Sequence, residues 1–112
     1  MNNPWIQMVP GIHRRTLVST EQIMQMEVKL EAGGKLPVHA HVQEQVTYVI
    51  RGRLRMQVGD QLHELAAGDA VIMGSNVPHG VEVIEDALVV DTFTPPRWDL
   101  LEQDRTHDKM TR

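Results

Sequence analysis

The chain has 112 residues, enough for a single domain, and it contains no cysteine, which excludes disulfides, thiolate metal ligands and thiol nucleophiles. Its formal net charge of −4, from 11 basic and 15 acidic residues, argues against a nucleic-acid partner, which would need a basic surface. No signal-peptide pattern opens the sequence and no apolar run is long enough to span a bilayer, so we expect a cytoplasmic protein without a membrane partner.

Short segments in which apolar and polar residues alternate dominate the sequence, and this pattern is typical of half-buried strands. In chain order, strands are expected at 24–30, 46–50, 54–58, 62–65, 70–73, 80–84 and 87–94. The turn residues between them predict an all-β sandwich or barrel with its core between about residues 12 and 96. Residues 97–112 are expected to form a charged C-terminal tail, either a helical turn or loose chain, and Tyr48 is expected in the core.

Three histidines and one glutamine have a spacing that would allow them to bind the same metal ion. His39 and His41 are two residues apart, so their imidazoles point to the same face of an extended chain. Gln45 returns to that side four residues later, and His79 begins a strand in the second half of the chain. Three imidazoles and an amide oxygen would form a four-ligand site with open positions for substrate or water. The alternative is a surface His-x-His pair, the more common situation when such a pair stands alone.

The residues around these histidines resemble the two-part signature of the cupin superfamily. The matching positions are Gly33, His39, His41, Gln45 (where glutamate is usual), Gly52, Gly68 and His79. The second part departs from the signature at Gly74, Asn76 and Val83. Asparagine tolerates a left-handed backbone, so Asn76 could preserve the turn made by the usual glycine. The resemblance implies a single-domain cupin over residues 1–112, a double-stranded β-helix or jelly-roll-like barrel, often a homodimer. It also implies one divalent metal ion, nickel, manganese, iron, zinc or cobalt, held by His39, His41, Gln45 and His79.

A second group of chemically interesting residues follows in the last strand. Asp91 and Phe93 share one face of that strand, and Arg97 comes directly after two prolines that fix the chain direction. An acid on an otherwise apolar strand costs free energy unless it is paired, hydrogen-bonded or solvated in a cavity. The spacing leaves two interpretations open: a salt bridge between Asp91 and Arg97 that closes the barrel, or two side chains that act on a substrate.

The motif His39-x-His41-x-x-Glu44-Gln45, together with Asp91-x-Phe93-x-Pro95-Pro96-Arg97, is similar to the KdgF proteins of pectin and alginate degradation. The resemblance implies an enzyme that converts cyclic 4,5-unsaturated uronate monosaccharides, small anionic sugars, to the linear keto form. In that family the catalytic positions fall on Asp91 and Arg97, the substrate-binding positions on Phe93 and Arg97, and the metal ligands on His39, His41, Gln45 and His79. Two alternatives stay open: an oxygen-dependent oxidoreductase, and a sugar-binding cupin without turnover.

Overall fold

The computed structural model describes residues 3–110, with side chains described as far as residue 107. Eight strands precede a helix in this range, and their bounds in chain order are β1 Ile6–Val9, β2 Ile12–Ser19, β3 Met24–Leu30, β4 Lys35–His39, β5 Glu44–Val58, β6 Gln61–Ala66, β7 Ala70–Met73, β8 His79–Thr94 and α1 Trp98–Met110. The all-β architecture expected from the sequence is confirmed. No helix in the described range is both long and apolar enough to cross a membrane.

The long strands β5 and β8 pair antiparallel through two ladders that are separated by irregular register. In the first ladder, the start of β5 pairs with the end of β8. In the same sheet β3 pairs with β8 and β7 pairs with β5, and β2 and β1 follow beyond β3. The second ladder joins the end of β5 to the start of β8 and carries β4 and β6. Two antiparallel sheets that share two strands in this way enclose a common core, as in a jelly roll.

Gly52 explains why one strand stands where the sequence predicted two. The segments 46–50 and 54–58 are parts of the continuous β5, because Gly52 forms an irregularity in the ladder instead of ending it. Its φ of 91° favours glycine, and a Cβ atom here would lie only 2.2 Å from the carbonyl oxygen of Asp86. The predicted strands 80–84 and 87–94 are likewise parts of β8.

Apolar side chains from both ladders fill the barrel, and the most deeply buried include Ile12, Met24, Val49, Leu54, Met56, Met73 and Phe93. The prediction that Tyr48 belongs to this core is wrong, because its side chain is 47% exposed. The side chains of β5 alternate, and the strand turns Gln45, Thr47 and Val49 inward, so Tyr48 faces outward. The inner face of β5 is therefore polar near the start of the strand, where Gln45 and Thr47 lie.

The C-terminal segment forms the helix α1, which Arg14 of β2 anchors to the sheet. The Arg14 side chain is fully buried, with an ion pair to Asp104 at 3.0 Å and hydrogen bonds to the Leu100 carbonyl and the Gln103 amide oxygen, both at 3.1 Å. A buried guanidinium must be paired in this way, so these contacts fix where α1 lies. They also fix the start of α1, which directly follows Arg97.

Candidate metal centre

The three candidate histidines converge on one end of the barrel from three separate segments. His39 ends β4 and is the ladder partner of His79, which begins β8, while His41 lies in the loop between β4 and β5. The ring centroids are 4.5 Å apart for His39 and His79, 4.9 Å for His41 and His79, and 5.8 Å for His39 and His41. Their possible ligand nitrogens all lie within 4.8 Å of one another, so one ion could contact all three rings.

Two of the loops at this end are tied together by their backbones. The amide of Asn76 donates to the carbonyl oxygen of His41 at 2.8 Å, which joins the loop before His79 to the loop that carries His41. Asn76 has a φ of 61°, the left-handed conformation that was expected from its place in the signature. The backbone therefore brings the two halves of the histidine cluster together.

The hydrogen bonds of the rings indicate which nitrogen of each histidine could bind a metal. Every Nδ1 atom lies near a backbone carbonyl oxygen two residues away, at 2.9 Å for His39, 3.1 Å for His41 and 2.9 Å for His79. Because a carbonyl oxygen only accepts, Nδ1 carries the proton and Nε2 keeps its lone pair. The Nε2 atom of His79 is buried without a hydrogen-bond partner among the described residues, an arrangement that suits a metal ligand.

Gln45 completes the set of possible ligands. Its Oε1 atom lies 3.1 Å from His41 Nε2, and its Nε2 atom donates to Thr47 Oγ1 at 3.0 Å. With the His41 proton on Nδ1, two lone pairs face each other across that 3.1 Å, and a cation shared by both would relieve the conflict. Three imidazole nitrogens and an amide oxygen thus fit a divalent first-row metal.

Burial favours the neutral form of two of the imidazoles, and this is the form that binds a metal ion. It lowers the pKa of both His41 and His79, and the positive charge of Arg97 lowers both pKa values further. A neutral imidazole is the metal-binding form, so this environment favours coordination without prior loss of a proton.

Asp91 stands at the end of a short polar chain that begins at Gln45. Thr47, its ladder partner across β5 and β8, donates through Oγ1 to Asp91 Oδ1 at 2.6 Å. Burial raises the pKa of the Asp91 carboxyl to about 6, although hydrogen bonds from Thr47 and Gln45 and the charge of Arg97 act in the opposite direction. The carboxyl is therefore able to hold or release a proton near neutral pH.

Arg97 lies above Phe93, with its Cζ atom 5.6 Å from the ring centroid. Its Nε and Nη2 atoms donate to the two carboxylate oxygens of Asp99 at 3.0 and 2.9 Å. A salt bridge between Asp91 and Arg97, one of the two interpretations left open by the sequence, does not form between these described side chains; Arg97 pairs with the neighbouring Asp99. Phe93 also presents its ring to the His41 ring, at 5.7 Å between centroids.

One cavity collects most of these groups. Its lining includes His39, Gln45, Thr47, His79, Asp91, Phe93 and Arg97, above a floor of apolar side chains such as Met26, Val28, Leu54 and Met56. Of the seven residues that the sequence predicted as metal-binding, catalytic or substrate-binding, His41 alone is absent from this lining, and its ring contacts the neighbouring rings instead.

Two buried polar residues near the site were missed in the sequence. Thr47 is 2% exposed and shares the inward face of β5 with Gln45, and Gln43, in the loop directly before β5, is 7% exposed. The period-two spacing 43, 45, 47 was the signal that could have found them.

A jelly-roll barrel with a histidine cluster at its mouth is the architecture of a cupin, and residues 26–93 match the cupin domain family. The chain therefore belongs to the cupin superfamily. Within it, the chain is similar to the pectin degradation protein KdgF of Dickeya dadantii, at 30% identity over 100 residues, 88% of this chain and 91% of the relative.

Solved structures show the same relationship. The structure of KdgF from a Halomonas species has a TM-score of 0.83 at 31% identity, with 87% of this chain and 92% of that chain covered. An RmlC-like cupin from Shewanella frigidimarina has a TM-score of 0.84 at 28% identity, with 88% of each chain covered.

Proposed function

We propose that the protein is a metal-dependent enzyme of pectin or alginate degradation that opens and ketonises cyclic 4,5-unsaturated uronate monosaccharides. The observation that carries this proposal is the buried carboxyl of Asp91, which lines the same cavity as Arg97 and two of the clustered histidines, His39 and His79. A site for sugar binding alone would not require a buried acid at this position. The similarity to a pectin degradation protein supports the class of substrate.

The proposed reaction is an isomerisation, so it needs no oxidant and no second substrate. Asp91 takes the proton of the C1 hydroxyl, the C1 carbonyl forms, and the bond between C1 and the ring oxygen breaks. The electron pair of that bond goes to the ring oxygen, which becomes an enolate oxygen on C5. Asp91 then returns the proton to C4 as the C5 ketone forms, which balances atoms and charge.

Arg97 and Phe93 would hold the sugar for this proton transfer. A guanidinium can bind a carboxylate through two parallel hydrogen bonds, as Arg97 already does with Asp99. The sugar carboxylate would take over this interaction, while Phe93 offers an apolar surface on the same side of the cavity.

His39, His41, Gln45 and His79 would hold one divalent cation. When bound, the cation supplies a positive charge that stabilises an anionic oxygen. Since all four side chains are neutral, none of them cancels that charge.

The test is turnover of a lyase-generated unsaturated monouronate in anaerobic and in aerated buffer. We expect the absorbance of the conjugated double bond to disappear faster than it does spontaneously, at equal rates in both buffers. In deuterium oxide, C4 of the product should gain deuterium on one face only, because one positioned carboxyl delivers it. Turnover that consumes oxygen would favour the oxidoreductase, and binding without turnover would favour the sugar-binding cupin.

A homodimer also remains a proposal, and the outer surface of the barrel supports it. Val46, Tyr48, Ile50 and Ile72 are each at least 38% exposed, and Val46 and Ile72 are partners across the ladder between β5 and β7. Exposed apolar surface of this kind is typical of a contact with another protein, here a second copy of the chain. The cytoplasmic location and the lack of a nucleic-acid partner stay predictions from the sequence.

A further inference from the structure

Gln43 is a buried polar residue that the proposed reaction does not use. It ends the loop that carries His41, directly before β5, and it is only 7% exposed. Its Nε2 atom donates to the carbonyl oxygen of Pro96 at 3.0 Å, a contact between residues 53 positions apart in the sequence. Its own backbone carbonyl accepts from His41 Nδ1 at 3.1 Å. Gln43 thus contacts both the histidine loop and the segment that leads to Arg97.

The hydrogen bond from Gln43 to Pro96 constrains Arg97, because Pro96 and Arg97 share a peptide plane. A carbonyl oxygen that is held in place fixes the whole planar unit, including the amide nitrogen of Arg97. The same oxygen accepts from the amide of Trp98 at 3.0 Å, and the Pro96 side chain is fully buried. The direction in which the Arg97 side chain leaves the backbone therefore depends on this contact.

Asp99 constrains a different part of Arg97. The Asp99 side chain is 61% exposed and the Arg97 side chain 15% exposed, and the two hydrogen bonds between them hold the guanidinium end. The bond from Gln43 is buried, and its loss would leave a carbonyl oxygen short of one partner away from water. Gln43 therefore acts on the backbone from which the Arg97 side chain starts.

We propose that Gln43 is a positioning residue, whose side chain holds Arg97 at the cavity through the Pro96 carbonyl. The inference rests on the proposed function for the role of Arg97 as the group that binds the sugar carboxylate. It adds that the loop between β4 and β5 supplies both a metal ligand, His41, and the contact that places the carboxylate-binding arginine.

The test uses Gln43→Met, which keeps the length of the side chain and removes its N–H donor. The matched control is Gln57→Met, since Gln57 also donates to a backbone carbonyl, that of Gly59 at 3.3 Å, but is exposed and lies at the other end of β5. The measurements are kcat and KM for the unsaturated uronate, affinity for the saturated uronate galacturonate, zinc affinity by chelator competition, and amide hydrogen exchange of residues 97–101.

Gln43→Met should raise KM and weaken galacturonate binding about tenfold, with kcat changed less than about threefold, the effect of losing one buried hydrogen bond. Amide exchange in 97–101 should accelerate by about the same factor. Zinc affinity should stay within about threefold of wild type, because the carbonyl that orients His41 is still present. In an Arg97→Ala background, Gln43→Met should have no further effect on KM or on galacturonate affinity. The Gln57→Met control should match wild type throughout.

Several results would overturn the proposal. These are unchanged amide exchange in 97–101, an effect of Gln43→Met that persists without Arg97, or a loss of zinc affinity larger than the loss of uronate affinity. If the wild type shows no turnover, the proposed function fails, while hydrogen exchange still decides whether Gln43 fixes this segment.

Discussion

Replacing Asp91 with asparagine should make the metal-free protein more stable at neutral pH, although it removes a proposed catalytic group. The Asp91 carboxyl is buried, and burial raises its pKa from 3.8 to about 6. The charged form is therefore disfavoured in the folded protein. Asparagine has nearly the same shape, can still accept from Thr47, and carries no charge to desolvate.

The size of the effect follows from the pKa shift. Unfolded chains release this proton near pH 4, whereas the folded protein keeps it until about pH 6. Over that interval the folded state binds more protons, so wild-type stability falls as the pH rises. The shift corresponds to about 3 kcal/mol at pH 8, and to less than about 1 kcal/mol at pH 4.

The assay is urea unfolding of chelator-treated wild type and Asp91→Asn at several pH values between 4 and 8. The free energy of unfolding of the variant should exceed that of wild type by an amount that grows across this range. Asp60→Asn is the control, since Asp60 is exposed in a turn and its replacement should give a small difference at every pH. A constant difference for Asp91→Asn, or a variant less stable than wild type at pH 8, would contradict the reasoning.

Other predictions concern the fold and the assembly. Arg14→Ala should lower the free energy of unfolding by about 3–5 kcal/mol, because it leaves a carboxylate and a carbonyl without their buried partner; the exposed Arg105→Ala should change it by less than about 1 kcal/mol. In urea unfolding, Gly52→Ala should lower the free energy of unfolding by more than about 2 kcal/mol, since a Cβ atom would collide with backbone. Gly68 has the same sign of φ but open space around it, so Gly68→Ala should lower it by only about 1 kcal/mol. Tyr48→Glu should convert the proposed dimer to monomers in sedimentation experiments, and an unchanged dimer would exclude this face as the interface.

The sequence predicted β3 well because a single period-two pattern decided it, and β7 as a short apolar run after a Gly-Asp turn. It divided β5 because a glycine in a strand pattern can signal either an end or an irregularity, and it divided β8 at Glu85 and Asp86, where charged residues interrupt the apolar pattern. At Gly52 the decision depends on the close approach of Asp86, which is distant in the chain. The outward position of Tyr48 could have been read from the inward position of Gln45, since both lie on one strand.

The grouping of the candidate residues was predictable from the sequence, whereas most of their contacts were not. His39, His41, Gln45 and His79 follow a spacing that the barrel brings together. The partner of Arg97 was not predictable in the same way, because Asp99 competes with Asp91 and only the start of α1 decides between them. Contacts between distant loops, such as that of Gln43 with Pro96, leave no local pattern in the sequence.

Metal-dependent turnover is the property that most directly distinguishes the proposed enzyme. The decisive measurement is the rate at which an unsaturated monouronate loses its conjugated absorbance with the protein as purified, after chelation, and after a divalent cation is restored. We predict acceleration over the spontaneous rate, loss of that acceleration on chelation, and recovery with at least one of nickel, manganese, iron, zinc or cobalt. The proposed function would be contradicted by a lack of acceleration with any of these ions. It would also be contradicted by a rate that chelation leaves unchanged in a protein shown to be free of metal.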